Sequence, residues 1–305
     1  MDALSGGEPE RSKATAIGLT AILMWSTLAV FGAGSGDVPP FLLNALCFGM
    51  SGLGALLWLA LRRELGALRQ PLKVWAFGTA GLFGYHFFYF TGLRNAPPVA
   101  ANLLNYMWPL LIVVFSALLP GEKLRVHHVL GALLGLAGAV LLITDGGKLM
   151  VNPADFWGYG AALAAALFWS VYSVLSRRLG NVKTGAVAGF CIATSILSAI
   201  CHVFLEEPAW PSGAIEWWAL VALAIFPLGL SFFTWDHGIK RGDIQVLGAA
   251  AYAAPLISTM LLIVCGFGAF TFAVGGACLL ITIGALVAAK DMIFKHHRRT
   301  TSVSL

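Results

Sequence analysis

One predicted helix of this chain carries phenol and imidazole groups on a face that is otherwise made of small residues. On a 3.6-residue period, Gly78, Gly81, Tyr85 and Tyr89 form one stripe, and His86 lies at its edge. Phenols stack on other rings and exchange hydrogen bonds, while imidazole adds a second hydrogen-bonding group or a proton carrier. This pattern favours the wall of a ligand cavity that admits water.

The next predicted helix repeats the pattern with amides. Asn102, Asn105 and Tyr106 share a helical face, and Trp108 follows within one turn. An amide without a hydrogen-bond partner in an apolar environment costs several kcal/mol, so these groups are expected to point away from lipid. They are therefore predicted to bind the same ligand.

Three residues on other helices complete the predicted substrate-binding set, namely Trp25, Asn44 and Trp169. A structural alternative stands beside each type of residue. The asparagines are equally expected as hydrogen bonds between helices, and the tyrosines as phenols bonded to neighbouring helices. His86 fits a neutral, hydrogen-bonded residue as well as a proton carrier.

Composition places these residues in a membrane. The 305 residues are 59% hydrophobic and 11% charged, with a mean hydropathy of +0.84, which is too little polar surface for a water-soluble globule of this size. The apolar runs are long and continuous, as in membrane helices and unlike barrel strands. Ten transmembrane helices are predicted, near 14–34, 39–61, 72–93, 96–118, 127–144, 155–177, 184–205, 214–239, 243–264 and 268–289.

The two halves of the chain repeat each other at an offset of 144 to 146 residues. Tyr106 and Pro109 recur as Tyr252 and Pro255, and Trp25-Ser26 recurs as Trp169-Ser170. Such a duplication is common in secondary transporters. The expected fold is an all-α membrane protein of two five-helix repeats, residues 1–147 and 148–305, and an odd number of helices per repeat inverts the second copy.

Basic residues orient this fold. With a cytoplasmic N-terminus, all 19 Lys and Arg residues except Arg94 and Lys148 fall on the cytoplasmic side. Both termini are therefore predicted to be cytoplasmic, in a bacterial inner (plasma) membrane. The net charge of +5 is explained by this asymmetry and by a basic C-terminal tail at 295–299 that contacts anionic lipid headgroups, so nucleic acid is not an expected partner.

The matching prolines, Pro109 and Pro255, interrupt two predicted helices at equivalent positions. Proline removes a backbone hydrogen bond and bends a helix. The pair is predicted to form either hinges for gating or fixed kinks that shape the cavity.

Charged residues are missing from the middle of every predicted span. A cavity without charge favours a substrate without net charge, and amino-acid zwitterions fit that description. The chain has no phosphate-binding loop and no zinc motif, and its five cysteines lack metal-ligand spacing. No cofactor or metal is expected.

Two motifs point to a family. The Gly-Glu-Lys-Leu turn at 121–124 and the Asn-Tyr-Met-Trp-Pro run at 105–109 resemble the drug/metabolite transporter superfamily with two EamA-type repeats, and within it the YddG-type aromatic amino-acid exporters. The resemblance implies export of neutral amino acids, aromatic ones above all, by alternating access through a central cavity. The second repeat has Gly266-Phe267-Gly268 in place of a Gly-Glu turn, so Glu122 is expected to be an interfacial residue that holds Lys123 or Arg125.

Two other functions remain open at this stage. The first is transport of a different small metabolite or drug by a member of the same superfamily. The second is an intramembrane enzyme that uses His86 or the His127-His128 pair, although no nucleophile lies in a recognisable motif.

Overall fold

The computed structural model describes residues 8–144, 147, 153–264, 270–288 and 290, and the described residues are helical with no strand. Eight helices are long and apolar enough to cross a membrane. We label them by their place among ten helices in chain order: α1 Pro9–Gly34, α2 Pro40–Leu61, α4 Ala100–Leu118, α5 Val126–Thr144, α6 Pro153–Arg178, α7 Thr184–Leu205, α8 Ala214–Arg241 and α9 Ile244–Leu261.

The remaining two predicted spans are also helical but do not satisfy the same criteria of length and hydropathy. The helix α3, residues 72–95, carries the polar residues of the predicted cavity wall, and these lower its hydropathy. The helix α10, Phe272–Ala288, is shorter at 17 residues. The structure therefore shows eight candidate spans, and ten crossings remain a prediction.

Irregular backbone recurs with the sequence repeat. A π-helical turn occurs at Ala80–Gly84 in α3 and again at Phe226–Leu230 in α8, 146 residues later. Helix α4 is interrupted at residues 106–107, and α9 at residues 251–252. Because π-turns and breaks leave the regular hydrogen-bond ladder, both repeats carry irregular backbone at equivalent places.

Equivalent helices of the two repeats pack against each other in opposite directions. In α2 and α7, Gly49 faces Ser195 while Gly52, further along α2, faces Ile192, which lies earlier in α7. The equivalent helices α5 and α10 also pair, and the non-equivalent pairs α1 with α8 and α3 with α6 join the two repeats as well. This antiparallel packing is the arrangement that an inverted repeat requires.

Glycine permits the closest of these contacts. A Cβ atom on Gly131 of α5 would lie 2.5 Å from the carbonyl oxygen of Gly284 in α10, and one on Gly135 would lie 2.5 Å from the ring of Tyr252. Small residues allow helix backbones to approach in this way. The Gly-x-x-x-Gly at 131–135 therefore packs within the chain.

Three sequence features lie outside the described residues. These are the first residue of the second repeat at 148, the turn at 266–268 and the basic tail at 295–299. The predicted repeat boundary and lipid contact of the tail remain expectations.

Candidate functional site

The centre of the bundle contains a cavity of about 450 Å³. Seven helices contribute to its wall, so the wall combines residues from both repeats. Of the ten residues predicted to bind substrate, nine line this cavity: Trp25, Tyr85, His86, Tyr89, Asn102, Asn105, Tyr106, Trp108 and Trp169.

Indole rings form a closely packed layer beside the cavity. The centroid of the Trp25 ring lies 5.9 Å from that of Trp108, 5.8 Å from Trp169 and 5.0 Å from Trp235. Trp235 is fully buried, and its indole nitrogen donates to Ser173 Oγ over 3.0 Å. Edge-to-face contacts between such rings stabilise their positions, so the layer offers a rigid aromatic surface to a ligand.

Tyrosines and asparagines form a second wall. The rings of Tyr85 and Tyr89 stack with centroids 5.9 Å apart and planes inclined by 3°. Tyr89 Oη donates to Asn102 Oδ1 over 2.7 Å, and Asn105 Nδ2 donates to Tyr85 Oη over 3.4 Å. These bonds connect α3 with α4 and fix the polar groups that face the cavity.

His86 is held in one orientation by its own helix. Its Nδ1 lies 2.8 Å from the carbonyl oxygen of Leu82, at the π-turn of α3. A carbonyl oxygen only accepts hydrogen bonds, so Nδ1 carries the proton and Nε2 of the neutral ring is an acceptor. Phe48, Phe90 and Phe232 surround the ring. Within the described part of the chain, Nε2 has no hydrogen-bond partner.

Asn44 does not line the cavity. Its Nδ2 donates to Ser198 Oγ over 2.8 Å, and both side chains are buried between α2 and α7. This contact matches the alternative expectation of a hydrogen bond between helices. We therefore leave Asn44 out of the candidate site.

Sequence reasoning missed most of the second repeat's contribution. Phe232 takes the place equivalent to His86, and Pro255 was identified only as a kink. The 146-residue offset was the available signal for Phe232, while Ser258 and Thr259 lie three and four residues after Pro255 and share its helical face. The additional lining residues are Leu28, Ala29, Ile143, Pro227, Leu228, Phe232, Ala254, Pro255, Ser258 and Thr259.

Glu122 binds different partners from those predicted. Its carboxylate accepts hydrogen bonds from Arg177 and, over 3.2 Å, from Arg11. Neither Lys123 nor Arg125 is its partner in the structure, because the chain brings the ends of α1 and α6 closer to this turn. The expected local pairing was wrong.

Asp236 lies close to the end of α8 and is buried, with Lys240 Nζ 2.9 Å away and Thr184 Oγ1 2.7 Å away. A buried carboxylate needs such partners, and the one-turn spacing to Lys240 supplies the first of them.

None of the described residues that line the cavity is Asp, Glu, Lys or Arg. Among the described residues, no group of three or more potential metal ligands occurs. The wall formed by these residues offers aromatic surface, neutral hydrogen-bonding groups and one imidazole. The chemistry of such a wall suits a small molecule with little net charge.

Apolar helices around a central, neutral cavity are typical of an integral membrane protein. The model of the EamA-like transporter family matches residues 12–144 and 156–289, so the chain belongs to that family, part of the drug/metabolite transporter superfamily, and is a transporter, not an enzyme.

The most informative relatives share one description. The chain is 56% identical over 280 residues to a protein of Ancylobacter novellus named aromatic amino acid exporter YddG, covering 91% of this chain and 97% of that protein. A protein of the same name from Escherichia coli is 25% identical over 292 residues, covering 91% and 97%.

Two further comparisons extend this result. A Streptantibioticus cattleyicolor protein named probable terminal-alkyne amino-acid exporter is 23% identical over 188 residues, covering 59% of this chain and 60% of that protein. A solved crystal structure superposes with a TM-score of 0.88 at 55% identity, covering 91% of this chain and 96% of that one.

Proposed function

We propose that this protein exports neutral amino acids, with aromatic ones preferred, across the inner membrane of a bacterium. In this proposal the ten helices all cross the membrane, the second repeat is inverted, and both termini are cytoplasmic. The neutral cavity lined by rings and amides is the observation that carries the proposal. The names of the relatives support the same substrate class.

The chemistry of the wall fits the two ends of an amino acid. A zwitterion needs acceptors for its ammonium group and donors for its carboxylate, and neutral groups supply both without excluding an uncharged molecule. We assign the ammonium to His86 Nε2 and the carboxylate to the hydroxyl and amide groups of Tyr106, Asn102 and Ser258. An aromatic side chain would then stack on the indole layer.

The position of the cavity implies which side it faces. Its lining residues come from the last part of α1 and the first part of α4, while the other parts of these helices pack against the start of α9, with Gly18 against Leu247 and Val113 against Gly248. With a cytoplasmic N-terminus, the open end is extracellular. The described conformation is then the outward-facing state of a transport cycle.

The repeated irregularities are candidates for the moving parts of alternating access. The π-turns of α3 and α8 and the breaks of α4 and α9 all lie beside the cavity. Pro109 and Pro255 follow the two breaks by a few residues. Bending at these four points would close one end and open the other without unfolding a helix.

The substrate gradient is the simplest driving force for this export. Among the described lining residues, His86 carries the only imidazole, and the rings of Phe48, Phe90 and Phe232 surround it. We therefore propose a facilitative exporter, with His86 as the candidate for any proton coupling.

The test is a flux screen of the twenty amino acids in proteoliposomes. We expect Trp, Phe and Tyr to move fastest and Trp169→Ala to lower that flux about tenfold, as loss of a central aromatic contact does. Trp157→Ala is the matched control, because this tryptophan is 71% exposed and outside the cavity. Equal rates for all amino acids, or equal loss in both variants, would contradict the proposal.

The same screen separates the second candidate, transport of another small metabolite or of an amino acid with a different apolar side chain. The similarity to a probable terminal-alkyne amino-acid exporter supports including such compounds. Faster flux of an aliphatic or alkynyl amino acid than of tryptophan would favour this candidate.

A further inference from the structure

Four charged side chains meet at the end of the bundle opposite to the open cavity. Arg11 Nη2 lies 3.2 Å from Glu122 and 3.1 Å from Asp243, and Arg177 bonds to the other oxygen of Glu122. The two arginines and the two carboxylates carry equal and opposite charge, so the cluster has no net charge. Glu122 and Asp243 are only 7% and 14% exposed, so these pairs are largely shielded from water.

Each of these residues belongs to a different element beside the transport path. Arg11 lies at the start of α1, Glu122 in the turn between α4 and α5, Arg177 at the end of α6, and Asp243 between α8 and α9. All six helices attached to this cluster, α1, α4, α5, α6, α8 and α9, also line the cavity. The cluster thus draws together the ends of the helices that would have to separate for the cavity to open there.

Backbone contacts reinforce the cluster. Arg177 Nη1 also donates to the carbonyl oxygens of Ile239 and Gly242, each over 2.8 Å, at the end of α8. The backbone nitrogen of Asp243 donates to Thr15 Oγ1 over 2.8 Å, which adds a second link between α1 and the α8–α9 turn. Hydrogen bonds to charged groups are stronger than neutral ones, so these contacts favour the closed arrangement.

The other end of the bundle lacks the residues for an equivalent cluster. At the offsets of the repeat, the positions equivalent to Arg177, Asp243 and Glu122 are Ala33, Pro97 and Phe267, and the position equivalent to Arg11 is Asp155. These four positions hold no cation, so they cannot form an ion pair among themselves. The two ends of an otherwise repeated fold therefore differ in chemistry.

We infer that Arg11, Glu122, Arg177 and Asp243 form an ionic lock that keeps the cytoplasmic end closed, whereas the equivalent positions at the extracellular end form no such lock. This inference rests on the proposed transport function and orientation. Removing the Glu122 carboxylate leaves Arg177 without an ion-pair partner and Arg11 with Asp243 alone, which favours the state in which that end is open to water. The lock would make the outward-facing state the more stable one in the absence of substrate.

The test measures access to the cavity and requires no substrate. Ser258→Cys, introduced into a variant without the native cysteines, places a thiol in the cavity wall. A membrane-impermeant maleimide is added to right-side-out and to inverted membrane vesicles. We expect labelling from the extracellular side in the parent, and a rise of about tenfold in labelling from the cytoplasmic side with Glu122→Gln, which corresponds to about 1.4 kcal/mol.

Glu206→Gln is the matched control at the opposite end. The Glu206 side chain is 1% exposed, pairs with Arg94 and His202, and accepts hydrogen bonds from the backbone of α2 at Phe41 and Leu42. Its loss should lower the melting temperature without increasing labelling from the cytoplasmic side. A similar increase with both variants would show general loosening and would overturn the lock.

Arg11→Gln keeps the inference testable if Glu122→Gln does not reach the membrane. It removes two ion pairs but leaves Glu122 bonded to Arg177, so we expect a smaller rise in cytoplasmic labelling. Unchanged labelling in the folded variants would overturn the lock. Failure of the amino-acid screen with a positive labelling result would instead reject only the proposed substrate.

Discussion

The hydroxyl oxygen of Tyr252 lies 3.2 Å from the backbone nitrogen of Leu110 and accepts its hydrogen bond. Leu110 follows the interruption of α4 at residues 106–107, where the regular ladder of the helix is lost. Tyr252 is the equivalent of Tyr106 in the second repeat, but it is fully buried, whereas Tyr106 lines the cavity. Tyr252 therefore stabilises the break in α4 at which its equivalent, Tyr106, faces the cavity.

Tyr252→Phe should destabilise the protein by about 1 kcal/mol, because the Leu110 amide loses its acceptor in an apolar region while the ring still packs on Gly135. The measurement is the melting temperature in detergent, together with flux. Tyr252→Ala also removes the ring and should cost several times more. Equal stability of the parent and Tyr252→Phe would show that the bond does not support the break.

Asn44 and Ser198 should contribute to stability and not to substrate choice. Each single alanine variant removes the same bond between α2 and α7, and hydrogen bonds between membrane helices contribute about 0.6 kcal/mol on average. We expect both to lower the melting temperature slightly, with the double variant less affected than the sum. A changed order of preferred amino acids in Asn44→Ala would instead return this residue to the binding site.

Gly131→Ala should be clearly destabilising. Its new Cβ would lie 2.5 Å from the carbonyl oxygen of Gly284, and backbone of a packed helix does not move away cheaply, so a loss of about 1–3 kcal/mol is expected. Gly54→Ala in α2 is the matched control, since nothing lies within 4 Å of its Cβ position. There the higher helix propensity of alanine should leave the melting temperature equal or slightly raised.

The sequence predicted the part of the site that depends on local pattern. Tyr85 and Tyr89 share one face of α3, and Asn102 lies on the corresponding polar face of α4. Helical periodicity identifies such a face without knowledge of the tertiary structure. Periodicity shows that the Asn44 side chain avoids lipid but not which neighbour it meets. It therefore could not distinguish lining of the cavity from a hydrogen bond between helices. In the structure that neighbour is Ser198, 154 residues away.

Long-range electrostatic contacts were the least predictable. Glu122 was assigned to basic residues within its own turn, but its partners come from α1 and α6, which are distant in sequence. The spacing of a single segment carries no information about such contacts. The sequence repeat indicates where the backbone is irregular, because breaks and π-turns recur at its offset. It does not indicate the ion pairs, because the positions equivalent to the lock residues are uncharged except Asp155.

His86 provides the final prediction, because it separates ligand binding from proton coupling. The ring donates from Nδ1 to Leu82, which leaves Nε2 as an acceptor, and the residue lines the cavity. Phe232, its equivalent, occupies the same kind of position without any polar atom. His86→Phe therefore keeps an aromatic ring at the site and removes the acceptor, the titratable group and the hydrogen bond to Leu82.

We expect His86→Phe to reduce flux of tryptophan about tenfold, the cost of one unmade hydrogen bond to a charged group. His86→Gln retains a polar side chain and should lose less. In the facilitative proposal, a pH gradient across the proteoliposome changes neither the direction nor the final level of accumulation in the parent or in these variants. Accumulation against the tryptophan gradient in the parent, abolished in both variants, would establish His86 as a proton carrier and replace the facilitative mechanism.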